Sequence, residues 1–157
     1  MAAPSDEFHL ERFLPYLVHR VGSRLADGFG VEFDAVGVNL QEWRVLSVLN
    51  EYGPQTMGDI ARRTSITPAT MTRVIGAMET RNLVKRERPV ANQRTVFVRM
   101  LDDGRSVVAK LIPQVIEYEL RISSCFTAAE LQIFKSLLSR LFHSITADEE
   151  DAGRLAG

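Results

Sequence analysis

Between residues 65 and 73 the chain reads Ser-Ile-Thr-Pro-Ala-Thr-Met-Thr-Arg, and between 92 and 94 it reads Asn-Gln-Arg. Their hydroxyl, amide and guanidinium groups are those whose spacing suggests chemistry. Thr67 suits an N-cap and Pro68 the first position of a helix, so a helix should open here with Ala69, Thr70, Thr72 and Arg73 on its first exposed turns. Short side chains near the helix start and a long one at Arg73 suit a helix that enters the DNA major groove by its N-terminal end. Alanine and threonine can touch thymine methyls. Threonine hydroxyls and first-turn N–H groups can bond phosphate oxygens, and Arg73 can grip the backbone or be bidentate to guanine. Ser65, Thr67, Pro68, Ala69, Thr70, Thr72, Arg73, Asn92, Gln93 and Arg94 are therefore the candidate DNA contacts.

The same residues would serve any amphipathic helical hairpin capped by Thr-Pro. The charge around them favours the nucleic-acid reading. From Arg62 to Arg99 there are nine basic residues against two acidic ones, a balance of +7, while the whole chain carries −1, so the remainder must carry −8. A basic segment on an acidic body is the electrostatic footprint of a nucleic-acid surface.

The elements that must position these groups follow from periodicity. Met57, Ile60, Ala61 and Thr64 recur at i, i+3, i+4, i+7, and Met71, Val74, Ile75 and Met78 repeat the spacing, which predicts two helices with one core-facing stripe each, joined by a tight turn. Leu83 to Arg88, a break at 89–93, and the alternating run Thr95 to Met100 predict a β-hairpin, with Val96 and Val98 on one face and Phe97 and Arg99 on the other. A tip carrying Asn92, Gln93 and Arg94 suits the minor groove; alternatively, Arg94 pairs with a carboxylate in the turn. Residues 41–50 form a helix behind the capping pattern Asn39 to Glu42.

Helix-turn-helix, basic wing, Leu101-Asp102-Asp103-Gly104 opening a long helix, and the preceding Leu-Gln-Glu-Trp-Arg-Val-Leu-Ser-Val-Leu helix together resemble the MarR family of winged-helix regulators over nearly the whole chain. Asn92 stands where members usually carry an acidic residue two positions before the wing arginine, and Asp102 where they carry a threonine. The resemblance implies a mainly α (α+β) fold: a winged helix-turn-helix with N- and C-terminal dimerisation helices. It also implies a small effector, often an aromatic or phenolic acid, bound between the dimer helices and the winged domain. Residue types there that fit such a ligand are Trp43 for stacking, Arg12, Arg20 and Arg44 for a carboxylate, and Tyr16, His9 and His19 for a hydroxyl. Trp43 also suits the core, and each arginine an ordinary ion pair.

Three regions result: residues 1–38 as an N-terminal dimerisation helix, 39–101 as the winged helix-turn-helix, and 102–157 as C-terminal dimerisation helices. The first helix should run from about residue 7 to 28, kinked at Pro15, with Phe8, Phe13, Leu14, Leu17, Val18, Val21 and Leu25 as a stripe. A helix from Asp103 to about Ser123 is interrupted by Pro113. Thr127 and Glu130 form a capping box before the last helix. Terminal apolar stripes pairing across a two-fold axis would set two recognition helices about 34 to 36 Å apart, on a pseudo-palindromic operator.

Other classes fit poorly. His9, His19 and His143 lie at the two ends without metal-ligand spacing, no cofactor pattern is present, and there is no glycine-rich phosphate loop, HExxH or GxSxG. The single Cys125 cannot form an internal disulfide and suits core filler better than redox sensing. Charges interrupt every long apolar run, and acids occupy the N-terminus where a secretory signal needs bases, which places the chain in the cytoplasm. The sequence therefore predicts a DNA-binding transcriptional regulator, most simply a homodimeric repressor released by a small effector. The competing reading is a winged-helix module for a protein partner, or an architectural DNA-binding protein without a ligand.

Overall fold

A computed structural model describes residues 8–88 and 94–155, with side chains described to residue 147. The chain divides into two compact units, Met1–Val115 and Ile116–Gly157.

The first unit begins with a 3-10 turn over Leu10–Arg12, followed by α1 (Leu14–Asp27), α2 (Gly30–Ala35) and α3 (Leu40–Tyr52). The single kinked helix expected from about 7 to 28 is not formed. Pro15 lies in the first turn of α1, where its missing N–H has no intrahelical partner to lose, so it starts the helix instead of bending it. Helix α2 was not anticipated; it buries Phe33 against Phe29, ring centroids 4.6 Å apart at 71°. Gly37 then turns the chain at φ 69°, a conformation that glycine takes without steric cost. The capping box of α3 is present: Asn39 Oδ1 accepts from Gln41 N (2.9 Å) and Glu42 N (3.0 Å), and Glu42 Oε2 accepts from Asn39 N (3.0 Å).

Next come β1 (Gln55–Thr56), α4 (Met57–Thr64), α5 (Pro68–Thr80), β2 (Val84–Glu87) and β3 (Phe97–Met100). The sheet has order β1-β3-β2 and is antiparallel, with Gln55 opposite Val98 and Arg86 opposite Val98 on the other side. The sequence pointed to the β2–β3 hairpin but not to the two-residue β1. Met71, Val74, Ile75 and Met78 of α5 are all buried, as are Ile60 and Thr64 of α4, and they meet Val45, Leu46 and Leu49 of α3 and Val84 and Val98 of the sheet in one core. Helix α6 (Asp102–Ser123) adds Val108 and Leu111 to it. The interruption expected at Pro113 does not break α6, which continues through it into the second unit.

In the second unit the end of α6 and α7 (Ala128–Leu155) are joined by a short turn. The Thr127–Glu130 capping box holds: Glu130 Oε2 accepts from Thr127 N (2.8 Å) and Thr127 Oγ1 from Glu130 N (3.3 Å). The bond from the Thr127 amide first, and then that from the Thr127 hydroxyl, which also donates to Glu130 Oε2 (2.8 Å), keep the Glu130 carboxyl below its ordinary pKa. Phe126 stacks on Phe134 at 5.5 Å, and Lys135 pairs with Glu119. Beyond these contacts, Ile133, Leu137, Leu138, Phe142 and Ile145 of α7, like Leu14, Leu17, Val18 and Val21 of α1, are exposed. Among the described residues no helix is long and apolar enough to cross a membrane.

Candidate nucleic-acid interface

Burial of Met71, Val74, Ile75 and Met78 turns the other face of α5 outward, and with it Ala69, Thr72 and Arg73. Thr67 caps the helix: its Oγ1 accepts from Thr70 N (3.4 Å) and donates to Thr70 Oγ1 (3.1 Å). Pro68 fills the first helical position. The Thr72 hydroxyl donates to Pro68 O (3.1 Å), which leaves its methyl and oxygen lone pairs for a partner. Ser65 sits at φ 55° as the left-handed cap of α4, so its backbone makes the turn between the two helices. Arg73 has no partner among the described residues. Seven of the ten candidate contacts thus lie on one turn and the first turns of one helix. Arg94 lies exposed in the turn before β3 and is engaged within the chain. Asn92 and Gln93 lie outside the described residues.

The segment charge of +7 is reduced by internal pairing. Arg81 turns back to the buried Glu42, with Nη1 2.9 Å from Oε1 and 3.1 Å from Oε2, and also donates to Gly37 O. Arg86 pairs with Glu79, Arg99 with Glu87 and Arg62 with Asp59. Counting basic residues along a segment overstates its DNA-facing charge, because the acids that meet Arg62 and Arg81 lie upstream of the segment. Arg63, Arg73, Lys85 and Arg88 remain without an ion pair among the described residues.

Two further arrangements escaped the sequence reading. The Arg63 guanidinium lies over the Tyr52 ring, 3.9 Å from its centroid. The hydrogen bond that the Tyr52 phenol donates to the Glu51 carboxylate, and that carboxylate's negative charge, raise the phenol pKa while Arg63 pulls it down. Thr56 caps α4, its Oγ1 donating to Asp59 Oδ2 (2.5 Å) and accepting from Asp59 N (3.1 Å). That hydroxyl first, then the Arg62 and Arg63 charges, hold the Asp59 carboxyl below its usual range. The Thr-x-x-Asp spacing was a legible cap signal; the arginine–tyrosine contact left none.

The candidate effector residues divide between elements. His9 and Arg12 lie on or beside the 3-10 turn, Tyr16, His19 and Arg20 on α1, and Trp43 and Arg44 on α3. Trp43 is half-buried and packs on Phe33 at 6.2 Å between centroids, which joins it to the aromatic pair of α2. Arg44 is exposed. Among the described residues no cluster of three His, Cys, Asp or Glu is placed to hold a metal ion. Cys125, expected as core filler, is exposed in the turn before α7, where no core reaches it.

A family model described as "MarR family" matches residues 38–96. The homoprotocatechuate degradative operon repressor of Escherichia coli is 27% identical over 111 residues, covering 71% of this chain and 75% of that protein. A MarR family transcriptional regulator from Silicibacter pomeroyi superposes with a TM-score of 0.81 at 22% identity, over 91% of this chain and 99% of the other. Bordetella bronchiseptica BpsR, solved in a study of the regulation of its DNA binding by 6-hydroxynicotinic acid, gives 0.78 at 23% identity over 86% and 96%.

Proposed function

We propose that the chain, whose residues 38–96 match the MarR family model, is a MarR-type sequence-specific DNA-binding transcriptional repressor, acting in the cytoplasm as a homodimer and released from its operator by a small aromatic acid. One observation carries the DNA-binding part. The outward face of α5 bears Ala69, Thr72 and Arg73 on its first turns while all four apolar positions behind it are buried. A helix so placed can enter the major groove without disturbing the core. Arg94, beside the wing tip, and Lys85 and Arg88 on or beside β2 supply positive charge next to it.

Dimerisation is supported by the exposed apolar residues of α1 and α7, too many to remain in water on a lone chain. Pairing them across a two-fold axis sets the two α5 helices about one DNA turn apart, so the operator should be pseudo-palindromic. For the effector, the relatives' aromatic acids supply the class: Arg12, Arg20 and Arg44 offer carboxylate partners, Tyr16, His9 and His19 offer hydroxyl partners, and Trp43 offers a stacking face. Release requires the ligand to bind one spacing of the recognition helices more tightly than the other.

A mobility-shift titration with DNA from the gene's own upstream region, repeated with a panel of aromatic acids, tests this. Site-specific binding that weakens with salt and is released by one acid is expected. Absence of specific binding at low salt would overturn the proposal in favour of a protein partner.

A further inference from the structure

We infer that Glu79, an acidic residue at the end of the recognition helix, is a positioning residue whose carboxylate fastens the wing to that helix and thereby strengthens specific DNA binding. The inference rests on the repressor reading above.

Glu79 lies in the last turn of α5, and its two oxygens hold the same residue of the wing in two ways. Oε1 accepts from Arg86 N at 2.7 Å, and Oε2 from Arg86 Nη1 at 2.6 Å. Arg86 Nη2 also reaches Thr72 O at 3.3 Å, so its guanidinium lies along the side of α5 from Glu79 to Thr72. The two residues are seven positions apart, about two helical turns. Because β2 is an edge strand in the order β1-β3-β2, the carboxylate satisfies a main-chain N–H of the strand itself, fixing the strand and not merely its side chain. Arg86 stands opposite Val98 of β3, so the hold on β2 extends to the hairpin. The joint is charge-assisted and only partly open to water, with the Arg86 and Glu79 side chains 31% and 29% exposed.

The sign of the effect separates this role from simple electrostatics. Removing an acid beside a DNA-facing surface should tighten binding to any DNA. If Glu79 aligns the wing with α5, removing it should instead weaken the binding that depends on both elements reaching their groove positions together. Glu87 provides a matched control, since it pairs with Arg99 within the hairpin and, among the described residues, makes no bond to α5.

The test uses full-length protein, a duplex that the wild type enriches from a random-sequence library, and a scrambled duplex of the same composition. Anisotropy titrations are run on wild type, Glu79→Ala and Glu87→Gln at one salt concentration, well below each protein's Tm, with circular dichroism confirming the fold. For Glu79→Ala, affinity for the enriched duplex should fall about tenfold, the loss expected of a charge-assisted bond, while scrambled binding stays equal or tightens. Glu87→Gln should keep the wild-type ratio of specific to non-specific affinity. Hydrogen exchange at the Arg86 amide should accelerate in Glu79→Ala. Undiminished affinity of Glu79→Ala for the enriched duplex, an equal loss of specificity in Glu87→Gln, or unchanged Arg86 exchange would each overturn the inference. Failure of the wild type to enrich any sequence would overturn the repressor reading itself, a distinct result.

Discussion

Arg81→Ala should destabilise the protein without altering its salt-dependent grip on DNA. Glu42 is buried, its side chain 5% exposed, and it accepts three hydrogen bonds: one from Asn39 N at 3.0 Å and two from Arg81 Nη1 at 2.9 and 3.1 Å. Deleting Arg81 leaves a buried carboxylate with a single main-chain donor and frees Gly37 O. Breaking a fully buried pair costs about 3 to 5 kcal/mol. Here the Arg81 side chain is 41% exposed, so water can reach the vacated site. That discount brings the loss to about 2 to 3 kcal/mol, or about 4 to 12 °C in Tm for a chain of this size. Replacing both partners with apolar residues, Glu42→Leu with Arg81→Met, should recover most of the loss, because the penalty lies in the orphaned charge. The assay is thermal denaturation at fixed protomer concentration, paired with DNA titrations over a salt series. The log-log salt slope of Arg81→Ala should match wild type. A Tm within about 1 °C of wild type, well short of the expected shift, with a slope shallower by about 0.9, would make Arg81 a phosphate contact and refute the reasoning.

Gly104 and Gly76 make opposite predictions. A methyl at Gly104 would press into the Leu83 carbonyl oxygen and stand 2.8 Å from Met100 Cγ, so Gly104→Ala should cost about 3 kcal/mol, read as a Tm drop of about 6 to 12 °C. A methyl at Gly76 meets nothing within 4 Å, so Gly76→Ala in α5 should add about 0.8 kcal/mol of helix propensity and raise Tm by about 2 to 3 °C. In acid, Asp59 and Glu130 should act together. Both carboxyls are held below their ordinary values, so the stability they contribute is fully present above about pH 4 to 4.5 and lost as pH falls through their folded values. Melting curves from pH 7 to about 3 should show a gentler acid limb for Asp59→Asn and Glu130→Gln than for wild type; identical limbs would contradict the assignment.

What was legible in the sequence was local. The Asn39–Glu42 and Thr127–Glu130 boxes announce helix starts through spacing alone, and Thr67-Pro68 does so for α5, because each motif closes within one turn. The stripes of α4 and α5 were readable because one core buries each of them on one side. What was lost depends on distant partners. Gln55–Thr56 is a strand only because Val98 and Phe97 lie beside it, and two residues carry no period. The six residues of α2 are held by Phe33 packing on Phe29 and Trp43, a contact invisible in a short mixed segment. Arg81 looked like part of the DNA-facing charge because its partners, Glu42 and Gly37, lie 39 and 44 positions upstream. Pro15 was misjudged because the helix start was placed too early, which turned a favourable first-turn proline into a kink.

The central claim is that the exposed first turns of α5 read DNA, and Arg73→Ala tests it most directly. Affinity of wild type and variant for the upstream duplex should be measured across a salt series, with both proteins shown to be equally stable, since Arg73 is exposed and holds no partner among the described residues. The account predicts a loss of about tenfold or more in the variant, and one of two signatures with it. A slope shallower by about 0.9 marks a phosphate contact, and an unchanged slope with relaxed preference at one base pair marks a guanine contact. Affinity, slope and base preference all equal to wild type would contradict it.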